Sequence, residues 1–205
     1  VDTLCAQDRD LRDVVAQYGL PPLWARPAGF TALAKTILEQ QVSFASAATL
    51  YKRLAKQVPG GFTPASIVRT GNDGLRALGV TRQKSAYIYE LAQAVHTGRL
   101  NLAAHKTMSD ADVYAELVQL KGIGPWTINV YLLMALRRID VWPPGDLALH
   151  KAIAQVKGLA ETPTSEAAEA IAQQWAPLRA IAARILWHGY IQRIARARAA
   201  AISAL

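Results

Sequence analysis

An all-α fold is what this sequence predicts, and three observations predict it. The chain is rich in alanine and sparing with valine and threonine, a usage that favours helices over strands. Apolar residues recur at three- and four-residue spacings in segment after segment, and no segment alternates convincingly with a period of two. Pro and Gly then punctuate the periodic segments, as short connections between helices require. With 205 residues, 52% of them hydrophobic, the chain suits one domain or one compact body of two lobes.

Each element follows from local signals. Phe30 to Leu54 predicts one long helix, with Leu33, Ile37, Leu38, Val42 and Phe44 at mixed helical spacings, stopped by Pro59-Gly60-Gly61. Thr63-Pro64 opens a short helix with Pro at its first position. Thr81 to Val95 predicts another, with Ile88, Leu91 and Val95 on one face. Ser109 and Asp112 form a capping box, and Met108 and Val113 a hydrophobic staple. Val113, Leu117 and Leu120 make the stripe of the helix that follows. Gly122 and Gly124 end that helix and Pro125 starts the next, so the unit is helix, very short hairpin, helix. Trp142-Pro143-Pro144-Gly145 breaks the chain before Asp146, and Leu147 onward is helical again. Two more helices come after Pro163, divided at Pro177, before a tail carrying Arg193, Arg196 and Arg198.

Composition narrows the function. Cys5 is the only cysteine, which excludes an intramolecular disulfide, a cysteine zinc site and a four-cysteine iron–sulfur cluster. His96, His105, His150 and His188 have no metal-like spacing. The longest wholly apolar run, around Val130 to Leu136, is too short to cross a bilayer, and no basic-then-apolar leader suggests secretion. A net charge of +8 with a pI near 9.8 favours a polyanionic partner, nucleic acid first.

The hairpin LKGIGPWT, residues 120–127, is the chief motif. A dinucleotide fingerprint would need three glycines after a strand, and a Walker loop a Gly-Lys-Ser/Thr, so neither nucleotide reading holds. Glycines let a backbone turn tightly and approach a partner, and the N-terminus of the following helix favours an anion such as a DNA phosphate. An ordinary glycine C-cap followed by Pro explains the same residues equally well. Asp146 stands about twenty residues further on, where it can be a helix cap, a cleft carboxylate, or both.

The span from Leu120 to Asp146, LKGIGPWTINVYLLMALRRIDVWPPGD, resembles the helix–hairpin–helix, Gly/Pro-rich loop, aspartate signature of the DNA glycosylase superfamily. Within it the chain is similar to the AlkA-like 3-methyladenine DNA glycosylases of type II. ILEQQVS at Ile37 to Ser43, LGVTRQKSAYI at Leu78 to Ile88 and WAPLR at Trp175 to Arg179 extend the resemblance over most of the chain from Phe30 on. The β-rich N-terminal domain of longer members has no counterpart in it.

The resemblance implies two helical lobes with a DNA-binding cleft between them. Residues 30–149 would form the central lobe, with the hairpin unit at about 110–137, and residues 1–29 with 150–205 the second. It implies backbone N–H contacts to DNA from Gly122, Gly124 and Thr127. A monovalent cation, Na⁺ or K⁺, would sit on the carbonyls of Val118, Leu120 and Ile123, with no other cofactor required. Asp146 matches the catalytic aspartate, which stabilises an oxocarbenium-like sugar as the base departs. Strand-cutting members carry a lysine nucleophile where this chain has Trp126, so the resemblance implies a monofunctional hydrolase.

Trp126, Leu178, Tyr131 and Trp175 are candidates for the pocket of the flipped base, with Trp187 a further aromatic. Leu178 stands where some members have a stacking tryptophan, which implies a roomier or differently selective pocket. Gln40 and Arg82 are candidates for filling the gap in the duplex, and Lys84, Lys121 and Lys151 for phosphate contacts. The expected partner is double-stranded DNA with damaged bases, bound by a monomer in a bacterial cytoplasm. A non-catalytic DNA-binding module and a bifunctional glycosylase/lyase are the alternatives.

Overall fold

The computed structural model describes residues 1–203, and among these the regular structure is helical throughout. The helices are α1 (Asp2–Gln7), α2 (Arg9–Tyr18), α3 (Phe30–Glu39), α4 (Phe44–Gln57), α5 (Pro64–Ala77), α6 (Arg82–His96), α7 (Asp110–Leu117), α8 (Pro125–Met134), α9 (Leu147–Lys157), α10 (Ser165–Ala172) and α11 (Arg179–Ser203). None of the described helices is long and apolar enough to cross a membrane.

Two compact units divide the chain. One is Ala25–Arg137; the other joins Val1–Trp24 to the chain from Arg138 on. The second division therefore falls well before residue 150, and Asp146 belongs with the terminal segments rather than with the hairpin. The segment after Arg137 is fastened to α11. Asp140 Oδ1 accepts from Arg179 Nε at 2.7 Å, Asp140 Oδ2 from the same guanidinium at 3.0 Å, and the Ile139 carbonyl from Ala180 N–H at 3.1 Å. The Arg179 guanidinium holds the Asp140 carboxyl below the ordinary carboxylate value.

In the unit Ala25–Arg137, α8 is the central helix. Thr127, Ile128, Val130, Tyr131, Leu132, Leu133 and Met134 are all buried, so the helix is enclosed on nearly every side, as an all-round apolar helix must be. α3 packs on it with Phe30, Leu33, Ile37 and Leu38 buried, and α4 and α6 pack on α3. The capping signals are met: Ser109 Oγ accepts from Asp112 N–H at 3.1 Å and donates to its carboxylate at 2.6 Å. Thr63 and Thr81 cap α5 and α6 in the same way. α7 ends at Leu117, so Leu120 is buried from the turn that follows rather than from the helix stripe.

The single helix expected from Phe30 to Leu54 is two helices. The chain leaves α3 at Gln40, takes a left-handed φ of 55° at Gln41, and restarts at Ser43, whose hydroxyl accepts from Ser46 N–H at 3.2 Å. Lys84 holds the break in place. Its Nζ donates to the carbonyls of Leu38 at 2.8 Å and Gln40 at 2.7 Å, which α3 leaves without helical partners. Burial lowers the Lys84 ammonium below its ordinary value.

In the other unit, Asp8 organises the packing of α2. Its Oδ1 caps the helix by accepting from Asp10 and Leu11 N–H at 2.9 and 3.2 Å. Its Oδ2 accepts from Lys157 Nζ at 2.9 Å and from the indole N–H of Trp175 at 2.8 Å. Burial alone would raise the Asp8 carboxyl; the hydrogen bonds from Lys157, Trp175 and Leu11 outweigh it and hold it below the ordinary value. A carboxyl depressed on folding stabilises the fold above its unfolded value and loses that contribution as pH falls through its folded one. Asp8→Ala is expected to cost about 3 kcal/mol at pH 7, from a lost cap and a stranded indole N–H. In urea titrations the gap between wild type and variant should narrow as pH drops below about 4.

Candidate functional site

The hairpin begins where α7 runs out. The Leu120 carbonyl accepts from Ile123 N–H at 3.1 Å, closing a tight turn through Lys121 and Gly122. Gly122 has a φ of +84°, and a Cβ there would lie inside the ring of Tyr87 from α6. Both facts demand glycine. Gly124 differs: its φ is −97°, and a Cβ would meet nothing within 4 Å. It is the N-cap of α8 and provides no side-chain cap, and Pro125 follows at the first helical position. A helix start capped by glycine leaves its dipole end open to an outside anion, which suits a phosphate. Thr127 lies on this first turn, buried.

A groove of about 610 Å³ runs along the hairpin, lined among others by Tyr87, Glu90, Val118, Leu120, Gly122 and Ile123. The residues proposed to offer carbonyls to a monovalent cation thus border one surface depression. Neutral oxygen donors suit such an ion, and a carbonyl already accepting one hydrogen bond, as at Leu120, keeps a second lone pair. Among the described residues no group of three or more His, Cys, Asp or Glu gathers to hold a metal by side chains.

The Gln40 side chain is turned onto the hairpin. Its Nε2 donates to the Gly122 carbonyl at 2.9 Å and to Thr127 Oγ1 at 2.9 Å, so insertion would have to break both bonds. Lys84, expected at a phosphate, is committed to the carbonyls of Leu38 and Gln40 at the end of α3. Arg82, Lys121 and Lys151 are exposed, as surface contacts require.

Asp146 caps α9. Its Oδ1 accepts from Leu149 N–H at 2.9 Å and from the indole N–H of Trp187 at 3.2 Å. Asp146 is only 9% exposed, and these two donors converge on one carboxylate oxygen, which fixes its orientation. The helix cap anticipated at this position is therefore observed, and the indole N–H fixes the pose of the same carboxylate. The partnership with Trp187 spans forty-one positions and leaves no trace in local spacing.

The pocket candidates separate. Trp126 is half-buried on the first turn of α8, and Leu178 is half-buried just before α11. Tyr131 is core: it is 1% exposed, stands edge-on to His105 with ring centroids 5.9 Å apart, and burial pushes its hydroxyl up to about 12. Trp175 is core as well, 2% exposed, packed on Trp142 and bonded to Asp8. Neither offers a face to a base in this structure, because each sits where its own unit needs a large apolar side chain.

Known proteins are similar to this chain in fold and in sequence. The chain is 27% identical over 184 residues to YfjP of Bacillus subtilis, covering 86% of this chain but 64% of that protein, so it spans under two thirds of that relative. A 3-methyladenine DNA glycosylase of Schizosaccharomyces pombe, Mag1, solved with abasic DNA, superposes with a TM-score of 0.80 at 26% identity, over 88% of this chain and 89% of that one. A DNA-3-methyladenine glycosidase of Bacillus halodurans matches with a TM-score of 0.73 at 30% identity, over 92% of this chain and 87% of that one. Residues 34–178, more than half of the sequence, match the HhH-GPD family, and this chain belongs to that superfamily of base excision DNA repair proteins.

Proposed function

We propose that the protein is a monofunctional DNA glycosylase that flips alkylated purines, of the 3-methyladenine and 7-methylguanine type, out of duplex DNA and hydrolyses the N-glycosidic bond. The observation that carries this reading is the pose of Asp146, a nearly buried carboxylate oriented by a helix N-terminus and an indole N–H. Breaking an N-glycosidic bond develops positive charge on the sugar, and a fixed carboxylate stabilises that charge without reorganising. The same carboxylate orients or deprotonates the attacking water. An alkylated purine bearing positive charge leaves readily, so a strong general acid is not needed. The relatives named as 3-methyladenine glycosylases support this substrate class.

In this reading the hairpin supplies sequence-neutral grip through the N–H groups of Gly122, Gly124 and Thr127, with Lys121 and Lys151 adding charge. A Na⁺ or K⁺ ion held by the Val118, Leu120 and Ile123 carbonyls would add positive charge against a phosphate; no chemical step passes through it. Trp126 offers an aromatic face, which favours a cationic base. Leu178 gives apolar contact without much π-surface. The protein acts where the DNA is, on the nucleoid of a bacterial cytoplasm, as a monomer.

Trp126 at the lysine position removes the amine that a Schiff base requires. Incubation with lesion-bearing duplex and sodium borohydride should therefore trap no protein–DNA adduct on a denaturing gel. A covalent adduct would establish the lyase alternative.

A further inference from the structure

The side chain of Gln40 ends the α3 segment against the hairpin, and its position is fixed from both sides. The Gly122 carbonyl can only accept, so the atom facing it must be the amide nitrogen of Gln40. That nitrogen has two protons and two partners, Gly122 O and Thr127 Oγ1, each at 2.9 Å. The Gln40 backbone is pinned as well: its N–H donates to the Ile37 carbonyl at 3.3 Å and its own carbonyl accepts from Lys84 Nζ at 2.7 Å. One side chain thus ties the turn of the hairpin at Gly122 to the first turn of α8 at Thr127.

We propose that Gln40 is a positioning residue for DNA binding, setting the spacing between the hairpin and the start of α8 so that their backbone N–H groups meet one phosphate together. The inference rests on the hairpin's assignment to the DNA backbone. It also moves Gln40 out of the duplex: a residue that braces the grip acts on every sequence and on intact and damaged DNA alike, whereas a gap-filling residue acts only where a base has left the stack. At the surface of the same turn stand Gln41, Val42 and Phe44, all exposed.

Two variants separate these roles. Gln40→Leu removes both donors at similar volume. Gln40→Glu keeps the shape but sets a carboxylate against the Gly122 carbonyl, which cannot donate, while the Thr127 hydroxyl can turn to donate to it; protonation restores one donor. Affinities are read by fluorescence anisotropy on an undamaged duplex and on a duplex with a tetrahydrofuran abasic analogue. Both variants should bind each duplex about tenfold more weakly than wild type, by the same factor. The single-turnover rate of base release at saturating enzyme should stay within about twofold of wild type, since Asp146 is untouched. Lowering pH from about 8 to 5 should shrink the Gln40→Glu deficit relative to wild type while the Gln40→Leu deficit persists. Should either variant fail to fold, Thr127→Val, which deletes the acceptor on the α8 side, carries the same test with a smaller loss on both duplexes. Weakening confined to the abasic duplex, unchanged affinity on both, or a slowed rate at unchanged affinity would overturn the proposal. Wild type that binds neither duplex would instead overturn the functional reading beneath it.

Discussion

Asp146→Asn is expected to slow base release by about two to three orders of magnitude while leaving the fold intact. The substitution isolates charge from architecture. Asn caps helices as well as Asp does, and its amide oxygen can still accept from Leu149 N–H and the Trp187 indole. What it cannot supply is a full negative charge beside the developing oxocarbenium ion. Single-turnover release from an alkylated duplex, with a urea titration alongside, checks both halves. A slow variant of wild-type stability fits the account; release at the wild-type rate contradicts the role of Asp146. Asp146→Ala would be less informative, because losing the cap adds about 1 kcal/mol of destabilisation to the lost charge.

Gly122→Ala should be the most damaging single change in the hairpin. A left-handed φ of +84° costs an L-residue about 1–2 kcal/mol. The added methyl also falls within the Tyr87 ring, which must move or force the turn open. The expected total is about 3 kcal/mol of stability and at least a tenfold loss of DNA affinity. Gly124→Ala is the internal control. Its backbone is ordinary and the space around it is open, so the loss should be limited to the cost of an alanine N-cap, at most about 1 kcal/mol. Any loss of affinity in that variant then measures how closely DNA approaches the helix start, and it should be equal across sequences. Equal destabilisation by the two alanines would refute the packing of Tyr87 beneath Gly122.

These contrasts show which parts of the molecule were legible in its sequence. The all-α class, the hairpin and the capped starts of α5, α6 and α7 were readable because Gly, Pro, Ser and Thr act on the backbone within a few positions. The break after α3 was not, since Gln40, Gln41 and Val42 include neither Gly nor Pro. It is held by Lys84, distant in sequence, and only the cap at Ser43 marked it locally. The lobe boundary was misplaced for a similar reason: the bonds that carry residues 138–146 to the terminal unit run to Arg179 and Ala180.

The site was legible in part. Pro-Pro-Gly before Asp146 marked a helix start and the two glycines marked the turn, and the structure has an N-cap and a tight turn there. Aromatic side chains were the least readable, because a ring that lines a pocket and a ring that fills a core obey the same periodicity. Tyr131 and Trp175 went to the core, while Trp187 turned out to hold Asp146. Gln40 shows the same limit for a polar residue, since an amide that braces a hairpin looks in sequence like one that reaches for DNA.

The central claim is that this chain hydrolyses the bond between an alkylated purine and its sugar and does nothing further to the strand. Product analysis on a duplex carrying a single 7-methylguanine or 3-methyladenine tests it most directly. The account predicts free modified base from wild type, with the strand intact until alkali cuts it at the abasic site. Bases that all remain attached, or a strand cut before any alkali is added, would contradict it.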